Sequence, residues 1–207
     1  MKVLFIGDSI TDAGRMQDEN GMGNGYALFA SQLIRSRHPD TEFEFINRGI
    51  GGNKMAHLVE RWQEDCIDLK PDVVSVLIGI NNTLCRSDTK NWYDNDEFEA
   101  MYRGILTDVK EKTNAKIIML EQFLVPMPYN AYMREDVDPK IQITRRLALE
   151  FADAFIPTDG LITAECVRTY PVCWSHDGVH PTEACARFIA EHYANAFDQI
   201  FNTLNKE

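Results

Sequence analysis

Short apolar runs alternate along the chain with longer segments in which apolar residues recur every three or four positions. The runs are Val3 to Ile6, Phe43 to Ile46, Val73 to Ile78, Ile117 to Leu120 and a weaker one at Ala154 to Ile156. Between them the spacing predicts helices at about Tyr26 to Arg37, Lys54 to Asp65, Asp96 to Lys112 and Asp136 to Asp153, with a last one from Pro181 to Leu204. This alternation belongs to the α/β class, in which helices cover both faces of a parallel sheet. The run Val73-Val74-Ser75-Val76-Leu77-Ile78 is apolar on both faces and is expected in the middle of that sheet. The stripe Phe188, Ile189, His192, Phe197 and Phe201 is expected to pack the last helix on the sheet, the alternative being a homo-oligomer interface. The segment from Asp12 to Gly25 holds four glycines among polar residues and reads as a loop beside a strand end.

A chain of 207 residues fits one domain, 1–207, and buries a sizeable core without disulfides or metals. The formal charge of −11, with no basic run, excludes a phosphate-tracking surface, so neither a nucleic acid nor an anionic membrane is expected as partner. Five cysteines at Cys66, Cys85, Cys166, Cys173 and Cys185 show no C-x-x-C spacing and read as incidental thiols. His38, His57 and His192 have no partner spacing that suggests a metal, and no metal is expected. The N-terminus runs straight into a strand pattern and no apolar stretch approaches bilayer length, which favours a cytoplasmic location.

The first strand ends in Gly7-Asp8-Ser9-Ile10-Thr11, which sets Ser9 just beyond the carboxyl edge of the sheet, where open α/β sheets bind ligands. A serine hydroxyl needs a base within hydrogen-bond reach and donors for the oxyanion that forms as it attacks a carbonyl. Near the other end of the chain, Asp177-Gly178-Val179-His180-Pro181 offers the base. Pro181 suits the first turn of a helix, and Asp177 is placed to accept from Nδ1 of His180, freeing Nε2 for the serine proton. Oxyanion donors are offered by the glycine-rich stretch Arg48 to Asn53 and by the side-chain amide in Gly79-Ile80-Asn81-Asn82. His176 lies outside the Asp-x-x-His-Pro spacing and is set aside.

These four segments, in this order, resemble the conserved blocks of the SGNH or GDSL hydrolase superfamily, from Gly7 to Pro181. The resemblance implies Ser9 as nucleophile, Asp177 and His180 as the rest of a triad, and an oxyanion hole made by the main-chain N–H groups of Ser9 and Gly52 and the side chain of Asn81. It also implies a three-layer α/β/α sandwich with five parallel strands in the flavodoxin-like order 2-1-3-4-5. Asn47-Arg48-Gly49-Ile50, Arg61-Trp62-Gln63-Glu64-Asp65 and Lys70-Pro71-Asp72-Val73-Val74-Ser75 are most similar to intracellular carbohydrate acetyl esterases of the acetylxylan esterase type. Two positions depart from the family pattern: Asn82 stands where an aspartate is frequent, and Leu84-Cys85 where an aromatic residue is frequent.

The expected activity is therefore hydrolysis of a short acyl ester, acetyl on a small or carbohydrate alcohol, with no cofactor. The alternatives are a lipase, lysophospholipase or thioesterase-like acyl hydrolase, and a flavodoxin-like binding module without covalent chemistry. A phosphate-binding module would not need the Asp177 to Pro181 turn, and neither phosphate-loop glycine pattern is present. Asp8 and Trp174 are the candidates for lining the substrate pocket, with Asp8 also suited to bracing the nucleophile turn. Trp62 is expected in the core or at an interface.

Overall fold

The computed structural model describes residues 1–204. Its five strands are β1 (Lys2–Gly7), β2 (Glu44–Gly49), β3 (Val73–Leu77), β4 (Lys116–Leu120) and β5 (Ala154–Ile156). They pair in parallel as one sheet in the order β2-β1-β3-β4-β5. The helices are α1 (Ser9–Asp12), α2 (Tyr26–Arg37), α3 (Met55–Trp62), α4 (Ile80–Leu84), α5 (Asn95–Lys112), α6 (Arg134–Phe151), α7 (Thr158–Arg168) and α8 (Glu183–Leu204).

Alternation along the strands builds two apolar layers. Val3 and Phe5 face α2 and α8, while Leu4 and Ile6 face α3 and α5. In the central strand β3, Val73 and Leu77 join the first layer and Val74 and Val76 the second, which is why its sequence shows no polar face. Helix α6 sends Ile143 and Leu147 to the second layer and Val137 and Ile141 to the first. The aromatic rings of Phe5, Tyr26 and Tyr193 are buried together, with centroids 5.9 Å (Phe5 to Tyr26) and 4.9 Å (Phe5 to Tyr193) apart. They lock β1 to α2 and α8, each ring contributing about 2 kcal/mol by burial. Trp62 is a core residue, 2% exposed.

The structure moves several expected boundaries. β2 continues past Ile46 to Gly49, because it pairs with β1 as far as Gly7. α3 ends at Trp62 and passes into a π-turn over Gln63–Ile67. α8 starts at Glu183 rather than Pro181: Pro181 is held in an isolated antiparallel bridge with Ser175, and the Thr182 hydroxyl accepts from the Cys185 amide to cap the helix. α7 has no counterpart in the expected elements, since only Thr158 and Ile162 of its eleven residues are buried and its apolar period is faint. On α8 the buried stripe runs through Ile189, Tyr193, Phe197 and Ile200, with Phe188 and His192 at its flank.

Candidate active site

Parallel register brings the carboxyl ends of β2, β1 and β3 side by side, with Gly7 opposite both Gly49 and Leu77. Ser9 follows β1 as the first residue of α1, with Asp8 as its N-cap: Asp8 Oδ1 accepts from the Ile10 amide at 3.0 Å. α1 lies directly on β2, an approach that only Gly49 permits, since a Cβ there would come within 2.1 Å of the Asp12 nitrogen. Asn47, buried on β2, fastens this arrangement. Its Nδ2 donates to Thr11 O at 2.6 Å and to Met22 O at 2.9 Å, and its Oδ1 accepts from Gly49 N at 2.8 Å.

The hydroxyl of Ser9 is 3.0 Å from Nε2 of His180, across 171 residues of chain. His180 Nδ1 in turn is 2.6 Å from Asp177 Oδ2. The other carboxylate oxygen, Oδ1, accepts from Ser175 Oγ at 3.0 Å, Val179 N at 2.9 Å and His180 N at 2.8 Å. Burial alone would raise the Asp177 pKa, but the His180 side chain and these donors outweigh it and hold the carboxyl well below the usual carboxylate range. The turn is seated on the segment after β4, where Val125 N donates to Gly178 O at 2.8 Å. Gly178 has φ +84, and a side chain there would strike the Asn130 amide.

Asp8 is a different kind of carboxylate. It is 1% exposed, its Oδ2 has no hydrogen-bond partner, and burial pushes its pKa up to about 7 against the Ile10 amide and the nearby His180, which both favour the charged form. Its place is behind the nucleophile turn, so it does not line a pocket as expected.

The candidate oxyanion donors follow neighbouring strands. Gly52 has φ +77 in the turn closed by Asn53 N to Ile50 O, and a Cβ on the preceding Gly51 would sit 3.9 Å from that of Ser9. Asn81 is in α4, and its Nδ2 donates to Asn53 O at 3.1 Å, which ties the two donor segments together. Asn82 is 2% exposed and accepts from the Met55 amide at 3.0 Å, at the start of α3. An aspartate would meet the same N–H with a favourable charge at the helix N-terminus, so either residue fits.

A cleft of about 530 Å³ opens at Ser9 on the side of His180. Ala13, Asn24 and Gly25 of the irregular loop border it, Ile10, Leu28 and Phe29 give it an apolar wall, and Thr182, Glu183 and Arg187 give it a polar rim. The loop is ordered by Asp18 Oδ2, which accepts from Met22 N and Gly23 N at 2.9 and 3.0 Å. Trp174 is not part of this lining. Its ring packs edge-on against Phe188 at 5.2 Å and its Nε1 donates to Thr169 Oγ1, so it braces α8 instead. Phe29 and Arg187, stacked at 4.0 Å, line the cleft without having been expected there; no local spacing marks them, because α2 and α8 meet only through the fold. Asn130 and Ser175 carry no marker of their own: Asn130 acts through the Val125 carbonyl, outside every motif, and Ser175 acts on Asp177 from two residues ahead of its block. Among the described residues no three His, Cys, Asp or Glu side chains gather as a metal centre would require, and no helix is long and apolar enough to cross a membrane.

A three-layer α/β/α sandwich with a serine, a histidine and an aspartate converging at the carboxyl edge of its sheet is the framework of a carboxylic ester hydrolase. The chain belongs to the GDSL-like Lipase/Acylhydrolase family, which matches residues 5–188. It is 31% identical over 201 residues to an acetylxylan esterase of Geobacillus stearothermophilus, covering 93% of this chain and 91% of that one. The crystal structure of an acetylxylan esterase from the same organism superposes with a TM-score of 0.84 at 32% identity, over 96% of this chain and 93% of the other. A protein of Parabacteroides merdae described as a GDSL-like lipase superposes with a TM-score of 0.87 at 31% identity, over 96% and 95% of the two chains.

Proposed function

We propose that this esterase removes short acyl groups, acetyl foremost, from the hydroxyls of a small or carbohydrate alcohol through a Ser9 acyl-enzyme. The observation that carries the reading is the continuous contact Ser9 Oγ to His180 Nε2 at 3.0 Å and His180 Nδ1 to Asp177 Oδ2 at 2.6 Å. His180 takes the serine proton as Oγ attacks the ester carbonyl, and Asp177 fixes the tautomer and stabilises the imidazolium. The oxyanion is held by the N–H groups of Ser9 and Gly52 and by the amide hydrogen of Asn81 not given to Asn53, each such donor worth about 3 kcal/mol in the transition state. Collapse expels the alcohol, which takes the proton from Nε2. A water then repeats the sequence on the acyl-enzyme.

The cleft supports the alcohol as the larger half of the substrate, because it lies on the side from which Nε2 protonates the leaving group. The similarity to acetylxylan esterase supports an acetylated saccharide in that position. The apolar wall of Ile10, Leu28 and Phe29 favours a second reading, a longer acyl chain as in lipases or thioesterases. Hydrolysis of acetyl, butyryl and octanoyl p-nitrophenyl esters by the wild type and by Ser9→Ala separates these. The expected result is acetyl-selective turnover reduced at least about a thousandfold in Ser9→Ala. Octanoyl preference transfers the assignment to the second reading, and unchanged turnover in the variant removes Ser9 as nucleophile.

A further inference from the structure

Helix α4 has five residues, too few to hold its own orientation, yet it carries Asn81. It follows Gly79, whose φ of +130 is a conformation that favours glycine. Ile80 anchors it in the core, and three successive side chains fix its rotation, two bonded at the entrance of α3 and one to α6. Asn81 reaches the Asn53 carbonyl and Asn82 the start of α3. Thr83 donates to Asp136 Oδ2 of α6 at 2.6 Å, and both residues are buried. The other oxygen of Asp136 pairs with Lys140, whose side chain is wholly buried. The same ammonium donates to Asn95 Oδ1 at 3.1 Å and to Tyr93 O at 3.3 Å, which ties α6 to the start of α5.

A buried ion pair is a poor way to gain stability, because desolvation offsets most of the attraction and apolar residues of equal volume often serve better. What this one does supply is a fixed, charged acceptor for a hydroxyl, and bonds of that kind are stronger and more directional than neutral ones. Residues two apart on a helix project about 200° from one another, so Thr83 and Asn81 leave α4 on nearly opposite sides. Anchoring Thr83 to α6 therefore sets the rotation of α4 about its axis, and with it the aim of the Asn81 amide.

We propose that Thr83, Asp136 and Lys140 are positioning residues for the esterase reaction, a buried relay that aims the oxyanion donor Asn81. This rests on the reading of Asn81 as that donor. The relay touches no substrate, and its influence on the reaction passes through α4.

A double-mutant cycle on p-nitrophenyl acetate hydrolysis tests it. Thr83→Val removes the hydroxyl at nearly constant volume and Thr83→Ser retains it; each is made alone and together with Asn81→Ala, with kcat, KM and Tm measured throughout. Thr83→Val is expected to lower kcat about tenfold with KM unchanged, Thr83→Ser to restore it, and Asn81→Ala to lower it about a hundredfold. In the Asn81→Ala background, Thr83→Val is expected to cost nothing further. Should the valine variant not fold, Thr83→Ala gives the same comparison. Unchanged kcat in the Thr83 variants, or a loss that recurs in full without Asn81, overturns the relay while leaving the oxyanion reading intact. Full activity in Asn81→Ala overturns that reading and the relay with it.

Discussion

The two turns that meet at the site are held in opposite ways. The Asp8-Ser9 turn is inside the molecule, with Asp8, Ile10 and Thr11 buried and held by Asn47 and Tyr26 from other elements. The Asp177 to His180 turn stands at the rim, its Asp and His side chains more than half exposed, at 54% and 55%. Three donors from within six residues converge on one carboxylate oxygen there. Ser9 is thus placed by burial and by hydrogen bonds from distant elements, and His180 by hydrogen bonds made within its own turn. Changes at the first turn should register in the stability of the whole fold, and changes at the second chiefly in the reaction.

The contrast is broken most severely at Asp177. Asp177→Asn keeps an oxygen for the turn's amides but sets an N–H against Nδ1, which forces the wrong tautomer on His180. A loss of about 10³ to 10⁴ in kcat is expected, with a modest fall in Tm from the lost charge, and a loss below tenfold would separate the aspartate from the reaction.

Protonation sharpens the contrast next, because the two aspartates titrate with opposite signs. Asp177 is shifted down in the folded state, so its contribution to stability is present above the unfolded carboxyl value and disappears as pH falls through the folded one. Asp8 is shifted up, from 3.8 to about 7, so the folded state retains its proton longer than the unfolded chain. Stability tied to Asp8 is full below pH 3.8 and is lost as pH rises through about 7. Asp8→Asn should remove that slope: urea unfolding at pH 4, 5.5, 7 and 8 is expected to show the variant gaining on the wild type by up to about 4 kcal/mol across the series. Parallel curves for the two proteins would mean that Asp8 does not titrate in this window.

The smallest effect is expected at Ser175, buried beneath the base turn. Ser175→Ala removes one of the donors to Asp177 and should cost about 1 kcal/mol of stability, with kcat down only a few fold. Loss of activity comparable to Asp177→Asn would show that the turn depends on this one hydroxyl.

The sheet was legible because each strand is a compact apolar run, and Val73 to Ile78 announced the centre by lacking a polar face. The convergence of Ser9, Asp177 and His180 was legible as well, since each lies in a short block with a chemical reason for its residue type. Long-range polar contacts were not. Asn47 reads as an ordinary strand residue until β2 is laid beside α1, and Trp174 invites a role in the cleft until Phe188 is found beneath it. α7 escaped because a helix that buries two side chains leaves almost no period. Pro181 misled by its preference for a helix start, when its bridge to Ser175 holds the chain extended for two residues more. The lining from Phe29 and Arg187 exists only where α2 meets α8, a contact between distant segments that spacing within either one cannot encode.

The 171-residue gap between Ser9 and His180 has a consequence for how the protein comes into being. On a ribosome the Ser9 turn emerges 171 residues ahead of His180, and α8, which seals the Phe5 and Tyr26 aromatic cluster, follows that histidine. A nascent chain therefore carries a serine without its proposed base until those 171 residues have been made. Hydrolytic power would arrive only once the Asp177 to His180 turn and α8 are in place, which makes the onset of turnover a clock for assembly of this fold.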